Sequence, residues 1–127
     1  ITEILQNTHD VYKSQNEEDA TNIEPLEQVI DYLTRDIKAN HVKRLQKGTC
    51  TIETGFVLAD ILNDFERVSD HCSNIAVCMI EIAHESFDMH EYINNLKNYK
   101  TEEYSKDYEM YRTKYSLKNL KLSEKTE

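Results

Sequence analysis

From Glu53 to His84 the apolar residues Leu58, Ile61, Leu62, Phe65, Val68, Cys72, Ile75, Ala76, Met79, Ile82 and Ala83 recur at helical spacing, a period sustained over about eight turns. No proline interrupts that run, so it reads as one long helix, and such a helix must lay its apolar side against partners of its own kind. The remaining sequence can supply them. With two glycines and one proline in 127 residues, turn-forming material is too scarce for a β-rich fold. The expected fold is all-α: an antiparallel bundle of three to four long helices forming one domain over residues 1–117, followed by a polar, frayed tail over 118–127.

The other helices follow from the same reasoning. Residues 1 to about 14 place Ile4, Leu5, Thr8, Val11 and Tyr12 on one side. Since Ile1–Leu5 already reads as the middle of a helix, the chain looks like a fragment of something larger. Asn16–Asn22 is a polar, acidic break. A second helix is expected from about Glu24 to Lys47, with Pro25 tolerated in its first turn and Gly48 at its end. Its last turns carry Lys43, Arg44 and Lys47, suited to the negative end of the helix dipole. Beyond the third helix, Ser86 or Asp88 can cap a fourth region holding Tyr92, Ile93 and Leu96. Tyr104, Tyr108, Tyr111 and Tyr115 then form a stripe at helical spacing, and Thr101 can cap a fresh helix there. The spacing leaves one bent helix and two separate ones equally open. The tyrosines read as a packing seam with their phenol tips in water.

A formal net charge of −9 argues against nucleic acid as a partner and against the face of an anionic membrane. A mean hydropathy of −0.72 and the lack of a long apolar run leave no segment fit for membrane insertion. Cys50, Cys72 and Cys78 lack the spacing of a thiolate zinc site or a disulfide framework, and read as reduced core or loop residues of a cytosolic compartment. A glycine-rich phosphate loop, a nucleophile elbow and a Ser/His/Asp constellation are all missing from the sequence. Cys72 and His71, as neighbours on a helix, point about 100° apart and make no dyad. The expectation is a non-enzymatic protein.

Two helices carry the same small signature, an acidic residue with Asp four positions on: Glu27–Asp31 and Glu66–Asp70. Residues four apart on a helix stand one above the other, with Cβ atoms about 6 Å apart. Each pair therefore puts two hard oxygen ligands on one face, and a bundle can bring two such faces together around metal ions. Measured from the middle of each apolar stripe at about 100° per residue, the first pair falls roughly 100–140° away and the second roughly 115–155° away. Both flank the core. A site there is expected to be shallow and open to solvent. The same sector holds Glu24, Lys38, Asn63, Arg67 and Asn74, as an ordinary solvated face would.

The longer string around the second pair, Glu66-Arg67-Val68-Ser69-Asp70-His71-Cys72-Ser73-Asn74-Ile75-Ala76, resembles the signature of PhoU proteins and of the PhoU-like domains behind sodium/phosphate cotransporters. That family pattern has Glu/Asp-x-x-x-Asp on two successive helices, the second reading Glu-Arg-Ile-Gly-Asp-His-Ala-x-Asn-Ile-Ala. Glu66, Arg67, Asp70, His71, Asn74, Ile75 and Ala76 match it, while Val68, Ser69 and Cys72 replace Ile, Gly and Ala. Glu27–Asp31 matches the first motif, and the likeness spans roughly Ile4 to Ala83. Two departures stand out: there is room for one three-helix repeat rather than two, and Gly48–Glu53 replaces the usual Asp-Leu-Arg before the third helix. Both look like the transporter-attached form.

The resemblance implies a cytoplasmic regulatory bundle involved in phosphate uptake or its control, joined to a transmembrane transporter portion of the same polypeptide. A homodimer would complete the two-repeat arrangement. In the family these motifs bind iron or zinc clusters, and the ligands carried over here are Glu27, Asp31, Glu66 and Asp70. His71 projects to another side of its helix and is left out. Four carboxylates without a well-placed imidazole favour iron or magnesium over a structural zinc.

Three other readings use the same residues. A di-metal carboxylate enzyme would need two Glu-x-x-His motifs, and the chain offers one, Glu81–His84. A histidine phosphotransfer bundle would present His9, His41 or His71, but none has the small-residue and lysine context that reaction needs. A helical interaction module without a metal site would treat the four acids as surface chemistry only.

Overall fold

The protein is described here by a computed structural model covering residues 1–84 and 102–117. The Ser86 and Asp88 caps, the Tyr92–Leu96 stretch, the Thr101 cap and the tail over 118–127 lie outside the described residues. The described residues form five helices and no strand: α1 (Thr2–Ser14), α2 (Glu17–Thr21), α3 (Ile23–Gln46), α4 (Ile52–His84) and α5 (Glu102–Lys114). The expected break between the first two long helices is real but carries the short α2. Gln15 ends α1 in the left-handed region, and the Asn16 side chain accepts the Glu18 N–H at 2.9 Å to start α2.

Gly48 ends α3, with φ at +67°. Its N–H donates to Leu45 O, and the Thr49 N–H donates to Arg44 O, both at 3.0 Å. This pattern satisfies the last carbonyls of α3 and needs a residue that tolerates positive φ. Thr51 Oγ1 then accepts the Thr54 N–H at 3.3 Å and starts α4. So short a link forces α3 and α4 antiparallel, and cross-helix pairs mark the register: Glu24 with Ser73, Lys38 with Asn63 and Glu66, and His41 with Gly55.

α5 runs parallel to α3. Tyr104 lies beside Glu24 and Glu27, the Arg112 guanidinium stands 5.4 Å from the Tyr32 ring, and Leu117 lines one cleft with Ile37 and Lys43. Against α1 it runs antiparallel, with Tyr111 beside Asn7 and Lys114 Nζ 2.7 Å from Glu3 Oε1. The core gathers Ile4 and Val11 of α1, Ala20 of α2, Ile23, Leu26, Val29 and Ile30 of α3, Cys72, Ala76 and Ile80 of α4, and Tyr111 of α5.

The face that α4 buries is rotated from the one its apolar residues suggest. Ile61, Phe65, Ile75 and Ile82 are exposed, whereas Ser69, Ser73, Val77 and Ile80 are buried. α4 is apolar over more than one stripe, so periodicity leaves the facing side open. Close packing resolves it, because Ser69, Ser73 and Ala76 are small enough to let a neighbouring helix approach.

Candidate functional site

The rotation of α4 changes where its acidic pair points. Glu66 and Asp70 sit at the edge of its buried face, next to α3, and the antiparallel register sets Asp70 beside Glu27 and Asp31. One carboxylate oxygen from each of Glu27, Asp31 and Asp70 lies within 4.8 Å of the other two. Glu27 is buried, Asp31 half-buried and Asp70 exposed, so the group has a closed floor and an open mouth. Two like charges about 5 Å apart repel by roughly 1 kcal/mol in water and about 3 kcal/mol at the effective dielectric near a protein surface. A hard cation between them turns that repulsion into attraction, and carboxylate oxygens are the donors iron or magnesium takes.

Glu66, the fourth acid of the motif, stands apart. Its Oε2 lies 3.1 Å from Lys38 Nζ, and the same ammonium donates to Asn63 Oδ1 at 2.9 Å. Glu66 is thus one helical turn from Asp70 but held by a lysine of α3. His71 is exposed, as is Asp64, and neither joins the group of three acids.

The site is less shallow on the α3 side than the helical wheel suggests. Glu24 is 5% exposed and Glu27 7%, although both fall in the sector that reads as a solvated face. The cause is α5, whose tyrosines cover them. Tyr104 is itself buried, so its phenol is not one of the wet tips expected of the stripe. Burial first, then the adjacent Glu24 and Glu27 carboxylates, push its hydroxyl well above the ordinary phenol range. Tyr108 is half-buried and helps line a cleft of about 230 Å³ with Glu27, Gln28, Asp31 and Arg35.

Glu24 accepts a hydrogen bond of 2.6 Å from Ser73 Oγ across the α3–α4 interface. The arrangement is mirrored in the two helices. Glu24, Glu27 and Asp31 follow one another at three and four residues, and Glu66, Asp70 and Ser73 at four and three. Both trios therefore line one helix face. Sequence reasoning singled out the pairs and missed Glu24 and Ser73 as their partners, although the spacing contained the signal. Nothing in the sequence linked Tyr104 and Tyr108 to the acids, because that relation exists only through the docking of α5.

Among the described residues, no helix is long and apolar enough to cross a membrane. Nothing among curated proteins or solved structures matches the chain. The family comparison is positive: the model of the PhoU domain matches residues 1–79, from the start of α1 to within α4, and takes in both acidic pairs. With an all-α bundle whose first four helices carry the match, the chain belongs to the PhoU domain family, whose members are regulatory helical domains of phosphate homeostasis.

Proposed function

We propose that this chain is the cytoplasmic regulatory domain of a sodium/phosphate cotransporter-type protein and that it binds a metal ion at Glu27, Asp31 and Asp70. The observation that carries the metal reading is the convergence of these three carboxylates from two helices. They fit a hard cation in donor chemistry, in number and in having an open mouth at Asp70. Iron and magnesium both take such oxygen donors, and the family resemblance favours iron, with magnesium as the alternative. Zinc, which the family also uses, finds no imidazole or thiolate among the three. A bound cation would supply charge neutralisation, linking α3 to α4 and offering an anchor for phosphate that an acidic surface otherwise repels.

The chain's own residues define the rest. Glu24 and Ser73 tie the two helices together behind the site, Tyr104 and Tyr108 screen it on the α5 side, and Lys38 holds Glu66 away. The transporter context rests on the Gly48–Glu53 stretch that replaces the family's usual entry to the third helix. The transmembrane portion of the same polypeptide and a second copy of the domain are the proposed partners.

The Lys38–Glu66 ion pair favours a second reading, an interaction module without metal, since it neutralises one acid of the motif internally. Elemental analysis of the purified chain beside the double variant Asp31→Ala, Asp70→Ala separates the two, with melting followed on addition of iron, magnesium or zinc. Metal held by the parent and lost by the variant supports the site. Equal melting with no metal in either leaves the interaction module.

A further inference from the structure

At the opposite end of the α3–α4 hairpin, the turn after Gly48 builds a second polar niche that the acidic site does not use. His41 of α3 is 6% exposed, and its Nδ1 lies 3.5 Å from Cys50 Sγ. Its Nε2 is buried and, among the described residues, has no hydrogen-bond partner. On the far side of the ring is Gly55 of α4, where an added Cβ would come within 2.5 Å of Nε2. Glycine is thus the residue that leaves room for the imidazole between the two helices. A buried imidazole with unmet hydrogen-bonding capacity costs stability, yet its one polar contact among these groups is a half-buried thiol on a surface turn.

From this geometry we infer that Cys50 is the modifiable thiol of the chain, oxidised by hydroperoxides with His41 as its proton acceptor. The thiolate, not the thiol, is the nucleophile, so a base in contact with sulfur accelerates its reactions. The Cys50 S–H proton moves to His41 Nδ1 while a sulfur lone pair attacks one peroxide oxygen. The O–O bond breaks, the attacked oxygen stays on sulfur as S–OH, and the leaving hydroxide, or alkoxide from an alkyl hydroperoxide, takes the proton from His41 as water or alcohol. Sulfur is oxidised by two electrons to the sulfenic acid and the peroxide is reduced. The half-buried position admits a molecule as small as a hydroperoxide.

The chain contains its own controls. Cys72 is buried in the core, and Cys78 is more exposed than Cys50. Accessibility alone therefore ranks Cys78 first, whereas the inference ranks Cys50 first. The reduced full chain is treated with limiting hydrogen peroxide and a sulfenic-acid trap, and with iodoacetamide in parallel, and peptide mass spectrometry follows each cysteine.

The expected result is modification of Cys50 about tenfold faster than Cys78, falling to the Cys78 rate in His41→Gln with helicity unchanged. If His41→Gln loses its fold, the pH profile of the native chain decides instead. The Cys50 rate then has to fall less steeply than the Cys78 rate as the solution is acidified from about pH 8 to about pH 6, because a thiol touching a base yields its proton more readily than a solvated one. Cys78 reacting as fast as Cys50, or the two sharing one pH profile, would overturn the inference, as would a folded His41→Gln variant whose Cys50 rate is unchanged.

Discussion

Glu27 and Asp31 on α3 lie against α5 and the core, while Glu66 and Asp70 on α4, the same two-residue signature, are split between a lysine and a shared acidic group. Glu27 is buried and screened by Tyr104. Glu66 keeps about a third of its side chain in solvent and pairs with Lys38. One copy of the motif is thus built into the packing and the other is adjustable. A carboxylate pair is not a site by itself: the helix that covers it and the cation beside it decide what it can hold.

The largest way to break this comparison is at Ser69, which sits between the two acids of the α4 pair and is 0% exposed. Ser69→Leu overfills the interface and forces α4 away from its neighbours. The expected loss is about 3 kcal/mol, at the upper end for overpacking. Chemical denaturation measures it, and an unchanged midpoint would mean that small residues do not set the packing there.

Next in size, Ser73→Ala removes one hydrogen bond to Glu24 behind the site. The expected cost is about 1–2 kcal/mol, the loss of one buried hydrogen bond across the interface, read from the same denaturation curves. The matched change on the adjustable side, Lys38→Met, takes away a half-exposed ion pair and should cost no more than about 1 kcal/mol. Its informative readout is metal titration, in which Glu66 released toward Asp70 should tighten iron binding relative to the parent. Binding that weakens instead would show that Lys38 supports the site.

Alkaline pH sharpens the comparison through α5. Burial is the main cause that raises both Tyr104 and Tyr111 above the ordinary phenol value, seconded by nearby acids. A raised folded-state value means that the folded chain keeps its proton where the unfolded chain has lost it. The stability is therefore fully present below about pH 10, the unfolded value, and declines as pH rises beyond it. Denaturation midpoints should fall above that pH, and Tyr104→Phe should flatten the decline. The smallest effect is expected at the rim of the same helix. Lys114→Ala breaks an exposed pair with Glu3 at a cost of about 0–1 kcal/mol, visible only as a slight shift in the thermal midpoint.

Much of the architecture was legible because it rests on local rules. The helical period over 53–84 foretold α4, Gly48 foretold the end of α3, and the polar break after Ser14 foretold the interruption of the first helices. The acidic pairs were legible as motifs, and three of the four acids do converge. What stayed hidden depended on rotation about the helix axis. With Ile61, Phe65, Ile75 and Ile82 as apolar as the buried residues, a helical wheel centred on them turns α4 away from its true face.

By itself, then, the sequence determined the long helices α1, α3 and α4 and the antiparallel pairing of the last two, since propensity, capping and a short link act within a few residues. It also determined the hard-oxygen character of the motif. Only the tertiary structure decided that Glu24 and Glu27 lie under Tyr104, that Lys38 takes Glu66 and that Gly55 makes room for His41. Those relations join residues 14 to 80 positions apart, and they are settled by which small side chains let two helices touch.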